Sequence, residues 1–298
     1  MAVYKRAYRP YEGDLTPSRS RFLVVSRYAL EELLGSRLLV AFLVLCFVPF
    51  LVEAVMVYVA NTPAAMAVLG LRGNVLPMTR PFFVFVLGIQ GTLAFLLTAW
   101  VSPVLVSPDL VNGALPLYLS RPFSRAEYVL GKTAVLLGLL SLVTWVPVLA
   151  LFALQAGLAE SGWLWAELRV GWAIVAGATI WIVVLTLLGL AISAWVRWRL
   201  VASALLFTLF FVGAGFGEMW REVLRNSWGR LANLSYLIGI VWRWLFALDA
   251  RRTLAREMLD DRRGADIPTW AAWAALFAVC GLSLWLLNRR LVAREVVR

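Results

Sequence analysis

Six uninterrupted apolar runs, each long enough to cross a membrane, constrain the fold of this 298-residue chain more than any other feature. A transmembrane helix needs roughly 20 apolar residues, at about 1.5 Å rise each, to span a hydrocarbon core about 30 Å thick. The runs cover residues 38–60, 82–107, 134–158, 171–196, 200–217 and 268–287. The sequence therefore predicts an all-α polytopic membrane protein, with six transmembrane helices in a single domain over residues 1–298.

Composition excludes several classes of protein. Hydrophobic residues make up 62% of the chain and charged residues 15%, whereas soluble domains are about half apolar and about a quarter charged. The chain has no histidine, which excludes a Ser-His-Asp triad, histidine metal sites and imidazole acid–base catalysis. The net charge is +11, but the basic residues flank the apolar runs. Lipid headgroups, rather than nucleic acid, are therefore the expected counter-ions.

The basic residues also orient the chain in the membrane. Residues 1–37 carry seven Lys and Arg and no apolar signal region, so we expect this tail to stay in the cytoplasm. Six crossings return the C-terminus to the same side, where Arg289 and Arg290 begin a basic cluster after the last run. Trp195 and Trp198 lie at the end of the fourth run, where an interfacial belt is expected.

Residues 218–267 hold nine arginines, and six crossings place them outside the cell. Counts of basic residues on the two sides do not decide whether residues 231–248 form a seventh span. That stretch is short and contains Arg243, Asn233 and Ser235, and an arginine near the bilayer centre costs at least about 2.5–3.5 kcal/mol. We therefore expect an outer-face re-entrant helical hairpin over 218–267, with a seventh span as the alternative.

The end of the N-terminal tail predicts an amphipathic helix over about residues 20–36. Its apolar side comprises Phe22, Val25, Ala29, Leu30, Leu33 and Leu34. Its charged side comprises Arg21, Arg27, Glu31 and Glu32. Such a helix is expected to lie flat on the inner leaflet, either as a simple anchor or as an element that transmits force from a partner.

The loop over residues 108–133, between the second and third runs, carries signals for two helix starts. Ser107 is a candidate N-cap for a short helix that begins at Pro108, has Asp109 near its positive dipole end and stops at Gly113. A helix of this kind makes the first half of the loop rigid. A plain solvent-exposed loop is the alternative.

The second half of this loop is expected to start the helix that enters the third span. Ser124 and Glu127 have the spacing of a capping box. The following residues Gly131-Lys132-Thr133 match the end of a phosphate-binding P-loop, but Ala126 occupies the position where that motif requires glycine. The segment is also predicted to be helical, with no strand before it. The chain itself is therefore not expected to bind ATP.

The stretch from Ser107 to Lys132 resembles the cytoplasmic loop of type-2 ABC transporter permeases. In that pattern an acidic residue and a glycine, here Asp109 and Gly113, precede Leu-Ser-Arg-Pro-x-Ser-Arg-x-Glu-Tyr-x-x-Gly-Lys, which here runs over residues 119–132. The resemblance implies the permease subunit of a bacterial inner-membrane ABC exporter, which works by alternating access, dimerises with a second copy, and docks a separate cytoplasmic ATPase. ATP and Mg²⁺ would bind that ATPase, so this chain would hold no cofactor and would not be an enzyme.

The resemblance also implies which residues contact the ATPase, because in such permeases this loop carries a coupling helix that the amphipathic N-terminal helix braces. A re-entrant hairpin on the outer face is another family feature. The implied contact positions are Pro108, Asp109, Asn112, Gly113, Leu119, Arg121, Pro122, Arg125 and Glu127.

Three polar side chains within the apolar runs are candidates for function. Glu53 is the only ionisable residue in the six runs, and Gln90 and Gln155 are the other strongly polar ones. An ionisable residue at membrane depth is a default candidate for contact with substrate or a proton. A packing role, or a side chain that reaches the outer interface, is the alternative for Glu53. No metal site is predicted.

Two other functions stay open. A membrane enzyme acting on lipid needs a reactive cluster at one face, and the candidate is an acidic group flanked by arginines, which favour a salt-bridged surface instead. That group is Asp249, Glu257, Asp260 and Asp261. An ion-driven secondary transporter predicts inverted repeats and several membrane-buried charges, whereas the sequence shows no such repeat and the one charge of Glu53.

Overall fold

The computed structural model describes residues 21–68, 70, 78–112, 124–196, 198–224, 226–248 and 267–290. Within these ranges the chain is helical and forms no strand, which confirms the all-α fold. The α-helices, numbered in chain order, are α1 Arg21–Leu34, α2 Arg37–Cys46, α3 Val48–Asn61, α4 Pro63–Val68, α5 Arg80–Val111, α6 Arg125–Val143, α7 Trp145–Leu158, α8 Trp163–Ala166, α9 Leu168–Trp195, α10 Arg199–Leu224, α11 Leu234–Leu245 and α12 Thr269–Arg290. A 3₁₀ helix, Ser227–Ala232, lies between α10 and α11.

Six helical segments of the described chain are long and apolar enough to cross a membrane, which confirms a multi-pass membrane protein. They correspond in order to the six apolar runs, and most of their ends extend beyond the runs. The six segments are Arg37–Asn61, Arg80–Asp109, Ala126–Leu158, Leu168–Trp195, Arg199–Leu224 and Thr269–Arg290.

Proline accounts for the breaks in two of these segments. The first is divided into α2 and α3 at Phe47, two residues before Pro49, and the third into α6 and α7 at Thr144, three residues before Pro147. Proline lacks the N–H that would bond the carbonyl four residues earlier, so a helix bends or breaks at that turn. The helix α5 instead continues through Pro103. The carbonyl of Ala99, which Pro103 leaves free, accepts a hydrogen bond from the Ser203 hydroxyl of α10 at 2.7 Å.

The centre of the bundle is α9, which is buried along most of its length and packs in parallel with α5. Midway along α9 the Trp181 indole N–H donates to the Gly91 carbonyl at 2.9 Å. Further along, a Cβ on Gly189 would lie 2.9 Å from Ser102. The absence of a side chain at Gly189 therefore lets the two helices approach closely. Small residues serve the same purpose at many contacts between membrane helices.

The bundle has two ends, which we name from one element or residue each. At the α1 end, the Ser107 hydroxyl of α5 donates to the Val196 carbonyl after α9 at 3.1 Å, and the Trp195 indole donates to the Leu286 carbonyl of α12 at 3.2 Å. At the Arg80 end, Arg80 of α5 forms an ion pair with Glu167, just before α9, at 2.9 Å. Helices α5 and α9 therefore run from the Arg80 end to the α1 end.

The segment after α10 folds back on the bundle as a hairpin. The helix α10 continues past Gly217 to Leu224, and the 3₁₀ helix then returns along it. The two helices lie so close that a Cβ on Gly213 would be 2.6 Å from the Ala232 carbonyl oxygen. From there α11 runs to the Arg80 end, where the carbonyl of Leu245 accepts from Arg169 at 3.3 Å. With 12 residues α11 is about 18 Å long, too short to cross the hydrocarbon core. The re-entrant placement of this hairpin, on the outer face, stays a prediction.

One buried arginine fixes the innermost turn of this hairpin. Arg230 makes two hydrogen bonds to the Glu218 carboxylate, at 3.0 and 3.2 Å, and one to the Tyr236 hydroxyl at 3.2 Å. These contacts tie the 3₁₀ helix to both α10 and α11.

Candidate functional site

The two described ends of the loop between α5 and α6 are held together by a charged cluster, which we call the Asp109 cluster and define as Asp109, Tyr128 and Lys132. The ammonium of Lys132 lies 2.9 Å from Asp109 Oδ2, and the Tyr128 hydroxyl donates to the same oxygen at 2.8 Å. The Lys132 ammonium also lies 5.7 Å from the centre of the Tyr128 ring. Tyr128 and Lys132 are four residues apart on α6, so they project from one face of that helix.

The Asp109 cluster is withdrawn from solvent. Tyr128 is 1% exposed, the Lys132 side chain 7% and the Asp109 side chain 18%. Removing one partner from a buried ion pair costs about 3–5 kcal/mol, because the remaining charge then lacks a counter-ion away from water. The C-terminal end of α5 and the first two turns of α6 are therefore fixed relative to each other. Residues 112–124 connect two anchored points.

The helix α1 braces the same part of α6. Its buried side chains are Val25, Ala29 and Leu33, three members of the predicted apolar side, and α1 packs against α6. The Ser26 hydroxyl lies 2.9 Å from the Gly131 carbonyl oxygen, and a Cβ on Gly131 would lie 2.9 Å from the Phe22 carbonyl oxygen. A side chain at position 131 would therefore push α1 away from α6. Of the predicted apolar side, Val25, Ala29 and Leu33 are covered by protein and Leu34 is exposed, so the contact of α1 with the leaflet stays a prediction.

The start of α6 confirms the capping box. The Ser124 hydroxyl accepts from the Glu127 backbone N–H at 3.2 Å, and the Glu127 carboxylate accepts from the Ser124 backbone N–H. The Gly131-Lys132-Thr133 sequence lies within the helix α6, as expected. In this helix Gly131 contacts α1 and Lys132 pairs with Asp109, as described above. Both helix-start signals of Ser124 and Glu127 are local, which explains why the sequence alone locates this N-terminus.

The predicted short helix that begins at Pro108 is wrong as an independent element. The helix α5 runs through Pro108 to Val111, and Asn112 ends it by donating its N–H to the Pro108 carbonyl at 2.9 Å. Ser107 is therefore inside a helix, and its hydroxyl donates to the Val196 carbonyl. Proline is tolerated inside this helix because α5 packs against α6, α9 and α10, and this packing supports the turn around Pro108.

The structure places the predicted contact positions in three groups. Pro108 and Asp109 lie in the last turn of α5, with Asn112 at its end, while Arg125 and Glu127 lie in the first turn of α6. Four further positions fall outside the described residues. These are Gly113, Leu119, Arg121 and Pro122.

Sequence reasoning missed the partners of Asp109. Tyr128 and Lys132 belong to the stretch that carries the family resemblance, but the resemblance implies no role for either residue. A usable signal was present, because Lys132 lies in an otherwise apolar approach to a span, where an unpaired ammonium is costly. An acidic residue at the other end of the same loop is its simplest counter-ion.

Among the intramembrane candidates, Glu53 and Gln90 are buried polar side chains without a described hydrogen-bond partner. Glu53 is 4% exposed and Gln90 is fully buried, and within the described chain neither side chain has a hydrogen-bond partner. The Phe42 and Trp100 rings, 5.6 Å apart, set the relative height of the first segment and α5. From that contact Glu53 lies 11 residues along and Gln90 10 residues along, or about 16 and about 15 Å at 1.5 Å per residue. The two groups therefore lie at nearly the same depth.

The third candidate, Gln155, has a partner that the sequence did not reveal. Its amide makes a reciprocal pair with Asn61 at the end of α3, with N···O distances of 2.7 and 3.3 Å. Both groups lie at the Arg80 end, and each satisfies the other. This pairing indicates that Gln155 joins α3 to α7, and it leaves Glu53 and Gln90 as the unsatisfied polar side chains among the three candidates.

Neither a scan against protein-family models nor a search of curated proteins finds a match for this sequence. The acidic group predicted for a lipid-modifying site, within residues 249–266, lies outside the described residues. No group of three or more Cys, Asp or Glu suited to a metal ion occurs in the part of the chain that the structure describes.

Proposed function

We propose that this chain is the permease subunit of an ATP-driven ABC exporter of the bacterial inner membrane, moved by a separate cytoplasmic ATPase that binds ATP and Mg²⁺. The observation that carries the proposal is the Asp109 cluster. It fixes the two ends of the loop that resembles a coupling loop, so a push on residues 112–124 reaches α5 and α6 together. A loop that takes up force must be joined rigidly to the helices it moves.

The packing of the bundle supports the same proposal. The helix α5 is in close contact with α9, and α1 is held to α6 at Gly131, so a displacement at the α1 end acts on several segments at once. Packed helices switch between discrete arrangements rather than deform continuously. In this mechanism the α1 end faces the cytoplasm, and the membrane subunit needs no catalytic side chain. A second copy of the chain completes the pathway for the substrate.

The direct test begins with a search of the neighbouring reading frames for an ATPase with a P-loop motif. The chain is co-expressed with that ATPase, and the complex is purified and assayed for ATP hydrolysis. We expect the isolated chain to be inactive and the complex to be active, with activity abolished by replacing the P-loop lysine of the ATPase. Arg121→Glu should prevent co-purification, whereas Arg27→Gln, on the exposed side of α1, should not. ATP hydrolysis by the isolated chain refutes the proposal.

A second candidate function, an ion-driven secondary transporter, is favoured by one observation. Glu53 is buried with Gln90 at nearly the same depth, and neither has a described partner, as expected for groups that bind a proton or cation during transport. The two functions differ in their energy source. Transport into vesicles driven by an ion gradient, without ATPase or ATP, supports the second candidate, whereas dependence on ATP supports the first.

A further inference from the structure

A long apolar groove lies on the bundle between α9, α10 and α12. Its volume is about 530 Å³, within the range of about 300–1,000 Å³ that is typical of ligand pockets. Along α9 it extends from Leu188 to Val196, eight residues or about 12 Å. One leaflet contributes about 15 Å of hydrocarbon, half of a core about 30 Å thick. The groove therefore has the length of one leaflet and starts at the α1 end.

The far end of the groove is closed by the hairpin. Leu231, Ala232 and Leu234, at its innermost turn, line the groove at that end. Arg230 holds this turn in place through Glu218, as described above. The groove is therefore open toward the leaflet at the α1 end and ends near the middle of the bilayer, which is the shape that an acyl chain of that leaflet occupies.

The side chains of the groove walls offer no free hydrogen-bond donor to a polar ligand. Two hydroxyl groups line the groove, and both are already used: Thr208 donates to the Ala204 carbonyl at 2.9 Å and Ser283 to the Val279 carbonyl at 2.8 Å. The other lining side chains are apolar apart from the indole N–H of Trp195, which donates to the carbonyl of Leu286. A hydrocarbon chain can fill such a groove without leaving a donor or acceptor unsatisfied.

The mouth of the groove carries positive charge. Trp195 lines the groove there, and the guanidinium of Arg290 lies 5.6 Å from the centre of its indole ring. Arg289 stacks in the same way on Trp285 at 5.2 Å. Neither arginine forms an ion pair with a carboxylate of the described residues. Cation–π contact holds the Arg290 guanidinium at the mouth while its N–H groups stay free to bind phosphate oxygens.

We propose that this groove binds an anionic glycerophospholipid, with an acyl chain along α9 and the phosphate on Arg290. The apolar wall and the arginine at its mouth lie in the same order as the parts of a lipid, because hydrocarbon lies toward the bilayer centre and phosphate at its surface. Bound there, the lipid packs α10 and the hairpin against α9 and α12. The inference depends on the chain being a membrane protein and is independent of the proposed coupling to an ATPase.

The test measures lipid binding to the purified chain by native mass spectrometry, with phosphatidylglycerol and phosphatidylcholine of identical acyl chains. One basic residue near a membrane surface contributes about 1 kcal/mol to binding of an anionic lipid, which is about fivefold in affinity. We therefore expect Arg290→Gln to weaken phosphatidylglycerol binding about fivefold and to leave phosphatidylcholine binding unchanged. Arg37→Gln is the matched control, since Arg37 is an exposed arginine at the start of α2 and is not part of the groove, so both lipids should bind as in the wild type.

A second variant tests the groove itself. Ile192→Trp fills it, so we expect the chain to lose its most tightly bound lipid of either type. Equal phosphatidylglycerol affinity in Arg290→Gln, Arg37→Gln and wild type overturns the phosphate assignment. Unchanged lipid binding in Ile192→Trp overturns the groove assignment. If that variant also loses a dimer that the wild type forms, the occupant of the groove is a second copy of the chain. The Arg290 variant changes an exposed residue, so its result stands even where Ile192→Trp fails to fold.

Discussion

Breaking the Asp109 cluster one charge at a time is expected to destabilise the protein far more than removing both charges. In Asp109→Asn the Lys132 ammonium loses its counter-ion while its side chain is 7% exposed, which places the cost at about 3–5 kcal/mol. In Lys132→Met the Asp109 carboxylate is 18% exposed and keeps the Tyr128 hydrogen bond, so the cost is smaller, about 2–3 kcal/mol. The double variant buries no unpaired charge, and its cost should be below about 2 kcal/mol.

The assay is unfolding in mixed micelles by titration with a denaturing detergent, followed by far-ultraviolet circular dichroism. The four proteins form a double-mutant cycle, from which we expect a coupling of at least about 3 kcal/mol. The control cycle uses Arg27 and Glu31, which form an ion pair of similar length, 2.8 Å, on the exposed side of α1. Solvent screens that pair, so we expect little or no coupling. Additive losses in the Asp109 and Lys132 variants would falsify the claim that burial makes this pair rigid.

Two further pairs of variants test contacts inside the bundle. Gly131→Ala should destabilise the protein by about 1–3 kcal/mol and expose α1 to protease, since its Cβ meets the α1 backbone. Gly138→Ala, with open space around it in the same helix, should be neutral or stabilise by up to about 1 kcal/mol; equal effects contradict the argument. Glu53→Leu should not lower the free energy of unfolding, because the Glu53 carboxyl group has no described hydrogen-bond partner. Gln155→Leu should lower it by about 1–3 kcal/mol, because the Asn61 amide then loses its hydrogen bonds to Gln155. Losses of equal size in these two variants contradict the assignment.

The transmembrane segments were predictable because their signal is local and large. An apolar run of sufficient length satisfies its own backbone hydrogen bonds as a helix, and little else is allowed in hydrocarbon. The capping box of Ser124 and Glu127 was predictable for a related reason, since both partners lie within one turn. The buried side of α1 followed from its helical spacing in the same way.

The error at Pro108 has a physical cause. Proline after a serine is a common helix start, and the residues around it favoured that reading. The signal does not distinguish a first turn from a kink within a longer helix, because proline fits both. The packing of α5 against its neighbours decides between them, and that packing is a property of the whole bundle.

The candidate site was only half visible in the sequence. Asp109 was selected from a motif, but its partners Tyr128 and Lys132 lie 19 and 23 residues away, across a loop whose course the sequence does not give. The pairing of Asn61 with Gln155 spans 94 residues and connects two different segments. Such contacts depend on which helices are neighbours in the bundle, and apolar runs of similar composition do not indicate which of them will pack together.

Six helices long and apolar enough to cross a membrane follow from the amino-acid sequence alone, because the hydrocarbon core imposes the same demand on every residue that enters it. The packed bundle is needed to see which polar groups satisfy each other, which glycines permit close contact, and where an apolar groove with a basic mouth forms. Those features arise from helices that meet in space after distant parts of the chain have been brought together.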